Sequence, residues 1–173
     1  MSGVGADGEI ERLVRQLNLQ QHPEGGFFCE LFRGDRQMTF TTKTKHDGPR
    51  DVGTCIHYLL KAPNFTSWHQ VLSDELFLWH AGGPCKLYLL DNEGNLTHKI
   101  LGDALKDADH VYQVLVPHDT WYAAELLDDV KYVLFSAVVI PGFEFKDWIQ
   151  GEREKLLEQF PQHKDVITKL TKK

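Results

Sequence analysis

The side chains best suited to proton chemistry lie close together in the chain, at His69 and Glu75. They belong to Phe65-Thr66-Ser67-Trp68-His69-Gln70-Val71-Leu72-Ser73-Asp74-Glu75-Leu76-Phe77-Leu78-Trp79-His80-Ala81-Gly82, which reads as strand, turn and strand. Side chains alternate between the faces of a strand, so Ser67, His69 and Val71 share one face, and Glu75, Phe77 and Trp79 share one after the turn. A turn at Leu72-Ser73-Asp74 folds the second strand back and brings the imidazole and the carboxylate toward one concave surface. A carboxylate beside an imidazole holds its tautomer and raises its proton affinity, which suits a general base. The same pair also serves as a structural hydrogen bond beside a turn, and both readings stand on spacing alone.

Two further stretches supply candidate pocket walls. In Leu115-Val116-Pro117-His118-Asp119-Thr120-Trp121-Tyr122-Ala123-Ala124 a proline-led turn delivers a strand that opens on aromatics. The Trp121 indole suits stacking on a ring or sugar, and equally suits the core. In His22-Pro23-Glu24-Gly25-Gly26-Phe27-Phe28-Cys29-Glu30-Leu31-Phe32-Arg33 consecutive glycines mark tightly turned backbone. Glu30 alternates with Phe28 and Phe32, where its charge needs a partner or a ligand. His22 and Glu24 read as ties within the entry loop. The candidate ligand contacts around His69 and Glu75 are therefore Glu30, Ser67, Trp79 and Trp121.

The elements that must position these residues are mostly short strands. Runs rich in Phe, Tyr, Trp, Val and Leu fall near 27–33, 37–42, 52–61, 65–72, 75–81, 84–91, 96–100, 111–117, 120–126 and 131–140. Gly48-Pro49, Gly82-Gly83-Pro84 and Asp91-Asn92-Glu93-Gly94-Asn95 carry the turn chemistry between them. Residues 8–17 have helical spacing at Ile10, Leu13, Val14 and Leu17, with Asp7 as cap and Asn18 as stop. After residue 150 the helical period returns in a tail over 151–171, broken at Pro161. So many antiparallel strands solve their edge problem by closing a barrel or stacking as a jelly roll, which can enclose a ligand cavity. One domain spanning 1–173 is expected, with the barrel at 27–140.

Composition narrows the function. The 173 residues are 42% hydrophobic and 25% charged, as in ordinary globular proteins. Nineteen Lys and Arg against 25 Asp and Glu give a net charge of −6, with no basic run that would displace counterions from nucleic acid or an anionic membrane. No apolar run approaches the ~20 residues that span a bilayer. The segment Met1–Asp7 lacks the pattern of a secretory signal, and Cys29, Cys55 and Cys85 are scattered. Together these read as reduced thiols in a cytoplasmic protein.

Taken together, the three stretches resemble the cupin superfamily, and within it the branch marked by His-Pro-Glu-Gly-Gly, similar in fold to dTDP-sugar epimerases. The likeness runs from Leu17 to about Phe160 and includes Ser67-Trp68-His69, Asp74-Glu75, Gly82, Val116-Pro117, Trp121-Tyr122-Ala123-Ala124 and Pro141-Gly142-Phe143-Glu144-Phe145. It implies an all-β fold, the double-stranded β-helix or jelly-roll barrel, with an N-terminal helix and short C-terminal helices. Metal-binding cupins take two histidines and a glutamate from a first motif and a histidine from a second. Here those positions are His69, Val71, Glu75 and Tyr122, and Asp119 stands at the glycine of the second motif's turn. No metal and no other cofactor is therefore expected, although His57, His80 or His118 would rescue a metal site if they faced inward.

The resemblance implies a metal-independent isomerase or epimerase acting on a sugar-like or nucleotide-linked polar metabolite. His69 would be the base, and Tyr58, Tyr88, Tyr112 and Tyr122 the candidate acids. A non-catalytic ligand-binding cupin and a metal enzyme with an atypical ligand set are the alternatives. A homodimer paired through β-strands is expected by analogy.

Overall fold

The computed structural model of the chain describes residues 5–23 and 25–172, so Glu24 lies outside the described residues. The chain opens with α1 (Ala6–Gln16), whose N-cap is Gly5; Asp7, expected to cap, sits within the first turn and makes no capping bond. Asn18 ends the helix at φ 51°, and the Leu19 N–H returns to the Val14 carbonyl at 2.9 Å. Ile10 is buried with Leu59, Tyr132 and Leu134, which fixes α1 on the outer face of a sheet.

Among the described residues fourteen strands follow. They are β1 (Gln20–Gln21), β2 (Phe27–Arg33), β3 (Gln37–Met38), β4 (Arg50–Asp51), β5 (Thr54–Lys61), β6 (Phe65–Val71) and β7 (Asp74–Gly82). Then come β8 (Cys85–Leu90), β9 (Leu96–Leu101), β10 (His110–Val111), β11 (Gln113–Val116), β12 (Trp121–Leu126), β13 (Tyr132–Ile140) and β14 (Trp148–Gln150). One six-stranded sheet runs β1-β2-β5-β13-β7-β11 and the other β10-β9-β8-β12-β6-β14. Their inner faces close on one buried cluster that includes Val71, Phe77, Tyr122, Phe135 and Val139. This is the expected all-β sandwich of two sheets, with interior and exterior residues alternating along each strand.

The tail forms α2 (Arg153–Gln159) and α3 (Lys164–Lys169). Both cover the outer face of the second sheet, burying Leu156, Phe160, Ile167 and Leu170 against Trp68, Leu90 and Ala123. Three local expectations need correction. The strand expected over 37–42 is only Gln37–Met38, and the one over 111–117 is split at Tyr112. Trp148–Gln150, where no element was expected, is an edge strand paired with β6. Its three residues are too few to show a period. Among the described residues no helix is long and apolar enough to cross a membrane.

Two turn residues bear directly on the site. Gly26, at φ 79°, approaches so closely that an added Cβ would lie 2.6 Å from the Leu59 carbonyl oxygen. Asp119, standing where the cupin pattern has glycine, adopts φ 60° itself. Aspartate tolerates that left-handed region better than most side chains.

Candidate functional site

A cavity of about 550 Å³ lies between the two sheets, within the usual size of small-molecule pockets. One wall comes from β6 and β12, and a local irregularity shapes it. Tyr122 pairs with His69 but Ala124 pairs with Thr66, so β6 runs three residues where β12 runs two. One extra residue in a strand inverts the alternation beyond it. Thr66 and His69 both face the cavity. Ser67 and Trp68 face outward, where Ser67 Oγ donates to the Leu170 carbonyl at 3.1 Å and Trp68 Nε1 to the Val166 carbonyl at 3.2 Å.

His69 is 4% exposed, and its Nδ1 lies 2.7 Å from the Ser67 carbonyl. A carbonyl only accepts, so Nδ1 carries the hydrogen and Nε2 is the basic atom of the neutral ring. The Tyr122 ring lies 4.0 Å from the His69 ring, centroid to centroid. Its hydroxyl donates to Glu75 Oε2 in a short hydrogen bond. Glu75 comes from β7 on the facing sheet, so this contact spans the barrel. His69 and Glu75 thus line one cavity and meet through Tyr122. Thr66 is 8% exposed, and its hydroxyl has no partner among the described residues. A buried polar atom left unsatisfied beside a cavity is a mark of a ligand contact.

The facing wall is apolar, built by Phe28, Ile56, Phe77, Phe135 and Val139. Tyr58 stacks on Phe135 at 5.2 Å, and its hydroxyl donates to the Gly25 carbonyl. At the mouth, His22 packs edge-on against Phe28 and Tyr58, at 4.9 and 5.2 Å. Burial, then the neighbouring His69 and Lys172, lowers its pKa to about 4, so the ring is neutral at physiological pH. Glu30 also lines the rim, where Arg33 donates to both of its oxygens at 3.1 and 2.7 Å and to Asp51 at 3.0 Å. These carboxylates hold the guanidinium pKa above its usual value.

Three expected contacts lie elsewhere. Ser67 is turned away by the extra residue in β6, as described. Trp121 packs against the cluster beneath α2 and α3, because Tyr122, not Trp121, holds the inward position on β12. Trp79 does share the inner face, but at the end of the barrel beyond the cavity, with its ring 6.1 Å from Tyr112. Tyr88 and Tyr112 are removed as acids too. Tyr88 donates to Glu125 at 2.8 Å on the outer side, where burial and that carboxylate push its pKa up to about 12. Tyr112 donates to Asp103, also at 2.8 Å.

What sequence reasoning missed is Thr66, Tyr58 as a wall, and His22 as a lining residue rather than a loop tie. The last had a visible signal in the His-Pro-Glu-Gly-Gly phrase. The first had none.

The residues present do not fit the metal site of metal-binding cupins. Val71 offers no donor atom, and the Tyr122 hydroxyl is engaged with Glu75. His57 and His80 are together on the outer face, sharing Ser136 Oγ at 3.2 and 2.6 Å, and His118 is paired with Asp74. Among the described residues no three His, Cys, Asp or Glu side chains converge to hold a metal ion.

Comparison with known proteins places this architecture. The family model described as Cupin superfamily (DUF985) matches residues 11–149. A Saccharomyces cerevisiae protein described only as uncharacterized is 27% identical over 158 residues, covering 84% of this chain and 77% of that one. A crystal structure of a Shewanella oneidensis protein is 30% identical with a TM-score of 0.82, covering 94% of this chain and 96% of that one. At the level of fold alone, a dTDP sugar isomerase from Desulfovibrio desulfuricans is similar, at 15% identity and a TM-score of 0.51, over 72% of this chain and 83% of that one.

Proposed function

This chain belongs to the cupin superfamily, in its DUF985 branch, and from that premise we propose that its cavity binds a small molecule and isomerises it by proton transfer without a metal ion. The observation that supports this is the His69–Tyr122–Glu75 group, enclosed in a cavity of about 550 Å³. His69 Nε2 takes a proton from a carbon next to a carbonyl, and the electron pair of the broken C–H bond moves onto the carbonyl oxygen. The Thr66 hydroxyl, which has no partner among the described residues, supplies the hydrogen bond that this oxygen needs as charge develops on it. The Tyr122 ring, held through its bond to Glu75, packs against His69. In a substrate whose deprotonated carbon bears a hydroxyl, that hydroxyl's proton passes to the former carbonyl oxygen. His69 returns its proton to the former carbonyl carbon, so that the carbonyl moves one carbon along.

His69 and Tyr122 stand side by side on one wall, with ring centroids 4.0 Å apart. That favours transfer on one face of the substrate over inversion, which needs an acid opposite the base. Tyr58, on the facing sheet, is the residue an epimerase would use.

A second reading rests on one observation. The Tyr122 hydroxyl is already given to Glu75, so the group also suits a binding protein that moves no proton. Small molecules released by denaturing the purified protein, then incubated in heavy water with native protein, separate the two. Deuterium gained at carbon with native protein, and not with His69→Gln, supports catalysis. Unlabelled ligand recovered from both supports binding alone.

A further inference from the structure

We propose that the cavity selects an uncharged molecule with a ring-sized apolar body and one carbonyl or hydroxyl end, and that it rejects phosphorylated and nucleotide-linked compounds. This rests on reading the cavity as the working site, and narrows what it takes.

The two walls differ in chemistry. The β6 and β12 side presents the Thr66 hydroxyl, which can donate to a carbonyl or a hydroxyl oxygen, and His69 Nε2, which accepts from a hydroxyl. The facing side is a continuous aromatic and aliphatic surface. Phe77 lies 5.8 Å from Tyr122 and 5.3 Å from Phe135, which stacks on Tyr58, so four rings follow one another along the chamber. Such a surface accepts a flat or compact apolar body by stacking and area burial. It offers nothing to a pyrophosphate, or to a sugar whose every hydroxyl needs a partner.

Charge argues the same way. Among the described residues three carboxylates line the cavity, Glu30, Glu75 and Glu144, against one cation, Arg33. Anion recognition by arginine uses its planar fork of N–H donors. Here Nε and Nη2 are committed to Glu30, and Nη1 to Asp51 and the Phe143 carbonyl. Lys172, beside His22, donates to the Pro23 carbonyl at 3.4 Å and is not itself among the lining residues. His22 is neutral at physiological pH and adds no positive charge. A phosphoryl group entering this mouth would displace a bidentate ion pair or lie unpaired among carboxylates. Both are costly.

The test is calorimetric titration of the full chain with three probes: phenylacetone, phenyl phosphate and dTDP-glucose. Phenylacetone is expected to bind with a dissociation constant of about a millimolar or tighter. The two phosphorylated probes should show at least tenfold weaker binding. In Glu30→Gln protein, checked for an unchanged melting curve, the freed Arg33 donors should raise phenyl phosphate affinity at least fivefold, and no rise would overturn the charge argument. Tighter binding of dTDP-glucose than of phenylacetone overturns the proposal, and so does failure of phenylacetone to bind. The catalytic reading is tested separately, by deuterium uptake next to the carbonyl of phenylacetone in heavy water. Binding without uptake would leave the ligand class standing and remove the isomerase. Uptake with tighter dTDP-glucose binding would do the reverse.

Discussion

Tyr122 donates its hydroxyl hydrogen to Glu75 while its ring lies 4.0 Å from the ring of His69. One side chain therefore connects the base of the proposed reaction, on β6, to a carboxylate carried by β7 on the facing sheet. Glu75 is 8% exposed, and burying a carboxylate is costly unless its oxygens are hydrogen-bonded. Replacing Tyr122 with Phe keeps the ring and removes that donor. We expect a loss of about 1–3 kcal/mol in unfolding free energy, as for a buried acceptor that loses one of its donors. Tyr122→Phe combined with Glu75→Gln should recover part of that loss, because the neutral amide costs less to bury. Equal stability of Tyr122→Phe and native protein in urea titration would remove Tyr122 from this role.

The mouth of the cavity gives a pH prediction with a definite sign. His22 titrates near 4 in the folded protein against a usual 6.5, because burial and its neighbours His69 and Lys172 disfavour the charged ring. Between those values the unfolded chain binds more protons than the folded one, so acid favours unfolding. The stabilising contribution of the neutral ring is complete above pH 6.5 and is lost as pH falls toward 4. His22→Asn protein should therefore show a shallower fall of melting temperature over that window than native protein. Parallel curves for the two proteins would contradict the lowered pKa.

Most of the architecture was legible from alternation and turn chemistry. Phe27–Arg33 is the strand its aromatic pattern requires, and the helical period after residue 150 reappears as α2 and α3. The site was legible only in part, for a reason that lies in β6. Alternation counted straight through Phe65–Val71 puts Ser67 with His69, whereas the extra residue puts Thr66 there. A bulge of this kind has no composition of its own in Thr66-Ser67-Trp68, because what fixes it is the partner strand and the helices that claim Trp68. Trp121 was misplaced for a related reason. An indole is equally suited to a pocket and to a helix-covered core, and only the tertiary fold says which face α2 and α3 cover.

Rigidity of the rim depends on an ion pair far from the proton chemistry. Arg50, 1% exposed, donates from Nε and Nη2 to both oxygens of Asp147, 2% exposed, at 2.6 Å each. Asp147 directly precedes Trp148, which lines the cavity with its ring 6.1 Å from His69. Arg50→Met should cost about 3–5 kcal/mol, since it leaves a buried carboxylate uncompensated. Arg50→Met with Asp147→Leu should be markedly less destabilised than the single variant, because no unpaired charge remains. A double variant as unstable as the single one would show that packing, rather than charge, holds this corner.

Adjacent residues on β6 should separate binding from stability. The Thr66 hydroxyl lines the cavity and has no partner among the described residues, so Thr66→Val removes an unsatisfied buried group and keeps the shape. Stability should stay within about 1 kcal/mol of native, or rise. Affinity for the ligand, or for phenylacetone as its probe, should fall about five- to tenfold if that oxygen is where the polar end is held. Ser67→Ala acts oppositely. It deletes the bond to the Leu170 carbonyl, at 3.1 Å, that ties β6 to the end of α3. A loss of about 1 kcal/mol with unchanged affinity is expected. Reversal of this pattern, with Ser67 governing affinity and Thr66 governing stability, would mean that β6 keeps strict alternation in solution. The cavity wall assigned to Thr66 and His69 would then be wrong.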